Sequence, residues 1–253
     1  MKKIFKYACA AVAATLSFTS CSNEVDMFEN ATTKATINLN ITNDNAMVTR
    51  AVANVSDASN WYITVGSNAQ IQVSSLSSKK YEAGTYNISV SNYASEAAAI
   101  TANDAYYTGS LSNQTLVKGN NTLTVACGQA QNCRVKADLS GLSDYEAIKD
   151  AKLTVKQADV TDRVLDGENT TGYFYAGESK TISYQLDYKY NNVAATAITG
   201  SIANPTAATE YQVNVVTNSN GTITLTITYD TEFTTQTAET ITIDAATGNK
   251  VTA

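Results

Sequence analysis

Histidine, the side chain that most often serves as general base and metal ligand near neutral pH, is absent from all 253 residues. Ser-His-Asp and Cys-His triads and His-ligated zinc sites are therefore excluded. Carboxylates and thiols are left to do chemistry. Asp159, Asp162, Asp166 and Glu168 cluster in a segment that reads as a loop. Their oxygens suit Ca²⁺, but the spacing lacks the ordered positions of an EF-hand loop, so a solvated surface loop is the better reading and no metal is assigned. Paired carboxylates can hydrolyse glycosides without histidine. Here no pair stands apart from the other acidic residues. We expect no catalytic residue, no enzyme activity and no cofactor.

The thiols divide by position. Cys9 and Cys21 fall near the start of the chain, and Cys127 and Cys133 lie far along it. Leu123, Val125 and Cys127 alternate with polar or small residues, as do Cys133, Val135, Ala137 and Leu139. This parity puts both cysteines on the inward face of two successive strands. They are candidates for a disulfide in an oxidising compartment, or for two small buried hydrophobes. Without a general base beside them, neither is assigned a catalytic role.

The first residues read as an address. Lys2, Lys3 and Lys6 precede an apolar run from Tyr7 to Leu16, then Ser17-Phe18-Thr19-Ser20 and Cys21. The run is too short for a stable membrane-spanning helix and suits a secretory signal. With Cys21 directly after small residues, it resembles a bacterial lipobox, with Phe18 where leucine is usual. That resemblance implies a signal peptide over 1–20, lipidation of Cys21 and a tether over 21–34. Two or three acyl chains hold firmly, at roughly 0.8 kcal/mol per buried CH₂. Glu24 and Asp26 look like the acidic surface-export signal of some Gram-negative lipoproteins.

Any element that positions a site is expected to be a strand. Ile37, Leu39 and Ile41 alternate with Thr36, Asn38 and Asn40; Tyr86, Ile88 and Val90 alternate with Asn87 and Ser89. Lys118-Gly119-Asn120 reads as a hairpin loop, and Asn220-Gly221 supplies the positive φ angles of a type I′ turn. Trp61-Tyr62-Ile63-Thr64-Val65 reads as a strand whose tryptophan is either core or a sugar-stacking platform, with the adjacent Tyr106 and Tyr107 on opposite faces. Only Ser143 to Lys149 suggests a helix, and it also marks a boundary. The fold class is therefore all-β, two tandem antiparallel sandwiches over 35–140 and 141–253, with patterning leaving transthyretin-like and Ig-like Greek-key topologies both open. A net charge of −6 argues against nucleic acid as a partner.

Several of these features coincide: the lipobox at Cys21, the alternating strand 35–42, Val48-Thr49-Arg50-Ala51, and Tyr81-Glu82-Ala83-Gly84-Thr85-Tyr86 leading into a strand. Together they resemble the fimbrillin-type surface lipoproteins, the type V pilus subunits and their relatives of unassigned function. The resemblance implies two transthyretin-like domains and a lipidated precursor on the outer membrane. In polymerising subunits an arginine-specific protease cuts away the first strand, and another subunit's strand fills the groove. On this chain Arg50 and Ala51 would flank the cut, and Ile37, Leu39 and Ile41 would be the exchanged plug. Arg50 is one of three arginines, and its other reading is an ordinary loop arginine.

The expected function is that of a surface-exposed, lipid-anchored protein of the cell outer membrane or fimbrium, acting in adhesion or pilus assembly by β-strand donation. Its partners would be the membrane, through its lipid, with other pilus subunits or host or bacterial surface ligands. The alternative is a lipid-anchored carbohydrate-binding protein of the starch-capture type, which needs exposed aromatic platforms.

Overall fold

The computed structural model describes residues 34–42, 59–142, 146–217, 223–230, 240–244 and 249–250. Strands dominate them, as the alternation of apolar and polar side chains requires. In the first part of the chain these are β1 (Lys34–Thr42), β2 (Tyr62–Val65), β3 (Ile71–Gln72), β4 (Tyr81–Glu82), β5 (Gly84–Ser91), β6 (Thr108–Leu116) and β7 (Gly119–Ala126). One layer has the order β4-β1-β7 and the other β3-β2-β5-β6. Ile37, Ile41, Leu123 and Val125 from the first layer meet Ile63, Val65, Ile88, Val90 and Leu116 from the second in a single core. Two sheets sharing one apolar layer make a β-sandwich.

The second part repeats the plan with β8 (Cys133–Gly141), β9 (Ile148–Gln157), β10 (Arg163–Leu165), β11 (Thr171–Phe174), β12 (Thr181–Tyr190), β13 (Val193–Ala194), β14 (Ile198–Ala203) and β15 (Glu210–Thr217). A separate core forms from Cys133, Val135, Tyr211 and Val213 on one side and Leu153, Val155, Ile182 and Leu186 on the other. β8 lies between β11 and β15 as β1 lies between β4 and β7; β9, β10, β12 and β14 pair as β2, β3, β5 and β6 do. The two sandwiches thus share one topology. The second adds β16 (Ile223–Asp230), β17 (Thr240–Asp244) and β18 (Asn249–Lys250), which extend its sheet outward from β15.

Sequence patterning located the strands but not all of their partners. β1 runs parallel to β7 and β8 parallel to β15, among pairs that are otherwise antiparallel. In each sandwich the first strand is drawn beside one far later in the chain, which alternation within a strand cannot encode. Lys118-Gly119-Asn120 is not a hairpin loop: β6 pairs with β5 and β7 with β1, so the chain crosses between layers there. Gly119 takes a φ of 93°, open to glycine at no steric cost. The strands flanking Asn220-Gly221 do pair antiparallel, from Thr217↔Ile223 outward, while the turn itself lies outside the described residues.

The helix expected over Ser143–Lys149 is corrected where it is described: Glu146 and Ala147 form a turn, and Ile148 opens β9. The helix lies elsewhere, as α1 (Glu96–Thr101), where the Ser95 hydroxyl caps the Ala98 N–H at 3.2 Å. Satisfying an otherwise orphaned amide stabilises a helix start by about 1 kcal/mol. No helix among the described residues is long and apolar enough to cross a membrane.

A polar joint links the two sandwiches. Asn103 accepts the Tyr173 N–H at 3.0 Å and donates to the Thr171 carbonyl at 3.1 Å. Asn132, between β7 and β8, accepts the Tyr106 N–H and donates to the Asp104 carbonyl, and its own carbonyl takes the Ala208 N–H. Arg134 pairs with Glu210, which is 6% exposed.

Candidate functional site at the first strand and the edges it covers

The residues that could matter for an exchange function sit on β1. Ala35, Ile37 and Ile41 point inward, at 0%, 3% and 7% exposure, and Leu39 packs half-buried against the same core. Each fully buried aliphatic side chain contributes about 1.5–3 kcal/mol of transfer free energy, so this strand is a substantial part of the first core. The sequence-derived plug of Ile37, Leu39 and Ile41 therefore lies together on one face, joined by Ala35.

Backbone pairing fastens β1 unevenly. Its ladder to β7 runs from Ala35↔Gly119 to Thr42↔Ala126, and just beyond it the Cys127 N–H donates to the Thr42 carbonyl at 2.8 Å. On the other side β4 supplies only Lys34↔Glu82 and Ala35↔Tyr81. The Lys34–Glu82 ion pair there is exposed, and exposed pairs contribute little. β1 is thus the middle strand of a three-stranded layer, with one full-length partner. If it were withdrawn, β7 and β4 would lose the only partners they have in that sheet among the described residues, beside a slot where Ile37 and Ile41 had been.

One residue holding β1 was not singled out from the sequence. Asn121 is 9% exposed on the inward face of β7. Its amide nitrogen donates to the Thr36, Val117 and Gly119 carbonyls at 3.1, 2.8 and 3.0 Å, and its oxygen takes the Val117 N–H at 2.9 Å. It closes the layer-crossing turn and ties it to β1. A signal existed: Asn121 is the one polar member of the inward series Asn121, Leu123, Val125.

The other candidates are dispersed. Cys127 and Cys133 are both buried, as their parity implied, but they are free thiols in different cores, so the disulfide reading is corrected to that of two small buried hydrophobes. Successive strands here belong to separate sandwiches, and inward means a different core for each. Burial pushes the Cys127 thiol up to about 11 and that of Cys133 to about 12, which leaves both poor nucleophiles. Cys21, Arg50 and Ala51 lie outside the described residues, as do the signal peptide and the Glu24/Asp26 pair.

Trp61 and Tyr107 are buried, at 3% and 7% exposure, and Tyr106 is half-buried. Asp162 is paired with Lys156 at 2.8 Å, and Asp166 accepts the N–H groups of Glu168 and Asn169 at 2.9 and 2.8 Å. Those backbone hydrogen bonds hold the Asp166 carboxyl below the ordinary carboxylate range. Among the described residues no group of three or more Cys, Asp and Glu side chains is placed to hold a metal ion.

No curated protein matches this chain. Among solved structures it is similar to a fimbrial assembly protein from Parabacteroides distasonis ATCC 8503, with 12% sequence identity and a TM-score of 0.43, over 72% of this chain and 91% of that one. A family model matches residues 64–245, from within β2 through both sandwiches, and leaves β1 outside the match. The chain belongs to the family described as a domain of unknown function, DUF4493.

Proposed function

We propose that this chain is a surface-exposed outer-membrane lipoprotein of fimbrillin type, acting in cell adhesion or pilus assembly by β-strand exchange and without catalysis. The observation that carries the reading is β1: a middle strand with core-filling residues at Ile37 and Ile41, one full-length backbone partner, and a candidate cleavage site at Arg50 downstream. A donor strand with the same alternation would restore both the ladder and the burial. The lipobox-like run ending at Cys21 supports the anchor and the membrane location. The carbohydrate-binding alternative loses support, because Trp61 and Tyr107, two of its candidate platforms, lie in the first core.

Mass spectrometry of the native protein tests the proposal. A mature N-terminus at Ala51 identifies a polymerising subunit, and a triacylated Cys21 identifies a retained anchor or accessory protein. A mature chain with neither end contradicts it.

A further inference from the structure

We propose that the outer edge of β7 docks a second copy of this chain, the two β7 strands pairing antiparallel about a two-fold axis at Thr122. Because the Cys127 N–H meets β1, alternation along the strand turns the backbone groups of Asn121, Leu123 and Val125 toward β1 as well. Those of Asn120, Thr122 and Thr124 then point to the opposite edge, where no strand pairs among the described residues. At Ala126 this edge is closed by the near approach of Gly109, where an added Cβ would meet the Ala126 carbonyl. The open row is therefore Asn120, Thr122 and Thr124, all with exposed side chains.

Two observations say what fits there. In the second sandwich the matching edge, that of β15, carries β16 antiparallel over Glu210↔Asp230 to Thr217↔Ile223. The first sandwich has the same slot without an occupant among the described residues. The other outer strands of the first sandwich are blunted as edges usually are: β3 and β4 have two residues each, and β6 is interrupted by a register shift. β7 has eight residues, none charged and none proline.

A second copy is favoured over a foreign strand because the row is self-complementary. Under the two-fold axis Thr122 faces Thr122 and each Asn120 faces a Thr124, pairs that carry no charge repulsion and include a favourable Thr–Thr contact. The interface is small, so a weak, concentration-dependent dimer is expected. The inference does not rest on release of β1 and is read on the uncut chain, so the two proposals fail separately.

Sedimentation velocity of the full, uncut chain in non-ionic detergent tests it, with Thr122→Pro and Thr124→Lys as variants. The Thr122 N–H points away from β1, so proline at this position spares the β1 ladder; unchanged Trp61 fluorescence and melting confirm the fold. We expect a protein mass that rises with concentration to twice that of the monomer, and dimerisation at least about tenfold weaker in both variants. Thr122→Cys should oxidise to a dimer joined between the introduced thiols. A wild-type chain that stays monomeric, whether or not a foreign strand binds it, overturns the inference. So does a dimer that both variants leave intact, or a Thr122→Cys chain that fails to cross-link while dimeric.

Discussion

β1 and β8 open their sandwiches in the same topological slot, yet they are fastened differently. β8 pairs with four residues of β11 on one side and runs beside β15 on the other, and β15 is itself backed by β16. Its Arg134 reaches both Glu210 and the Tyr173 hydroxyl, so neighbours on either side grip it. β1 has two pairs with β4 and a ladder to β7, which no further strand backs among the described residues. The apolar demand is nonetheless similar, since each strand buries three core residues: Ala35, Ile37 and Ile41 in one, Cys133, Val135 and Ala137 in the other. One plan thus yields a sandwich closed within the chain and a sandwich that leans on one weakly bracketed strand.

Ile37→Asp should separate the two sandwiches most strongly. An unpaired carboxylate in the first core should cost more than about 4 kcal/mol and unfold that sandwich selectively. Trp61, the single tryptophan, lies in the first core and reports its loss by fluorescence. Thiol labelling of Cys133 reports the second core, which should stay protected. If Cys133 opens together with Trp61, the two cores are one cooperative unit and the comparison is wrong.

Asn121→Ala should act next in size. It strands the Val117 N–H and three carbonyls near the turn, at about 1–3 kcal/mol in urea unfolding followed by Trp61. A change well below 1 kcal/mol would mean that apolar burial alone holds β1.

Alkaline pH offers a subtler comparison. Both thiols are raised above the ordinary 9.0 by burial, so the folded state favours the neutral form. Their contribution is fully present below pH 9 and is lost as pH rises, through about 11 for Cys127 and about 12 for Cys133. Melting temperature should therefore fall above pH 9, and Cys127→Ser should flatten the earlier part of that fall. Smallest of all, Lys34→Ala should change stability by less than about 0.5 kcal/mol, since its partner Glu82 is exposed. A larger loss would make the β4 side a true fastening.

Much of this was legible in the residues because strand burial has a period of two. The inward sets of β1, β5 and β7 and the buried cysteines follow from alternation, whereas the choice between core and platform for Trp61 does not. Pairing is a long-range property. Nothing local in Leu123-Thr124-Val125 says that its partner lies at Leu39, about eighty residues earlier, or that the partner runs parallel. The turn at Gly119 was visible, but whether a turn joins neighbours in one sheet or crosses between layers depends on where the other strands sit. The shift of helix from 143–149 to Glu96–Thr101 has a local cause that could have been read: Ser95 stands before an alanine-rich run. Parity buried Cys127 and Cys133 but left the bridge open, because two inward faces need not share one core.

The central claim is that β1 can leave its slot and that an equivalent strand can take it. A fluorescent peptide with the sequence Lys34–Thr42, incubated with the chain before and after an arginine-specific cut at Arg50, tests this most directly. The cut chain should take up about one peptide per molecule and the uncut chain almost none, and an Ile37→Asp peptide should fail to enter. A cut chain that keeps its own β1 and excludes the peptide would contradict it.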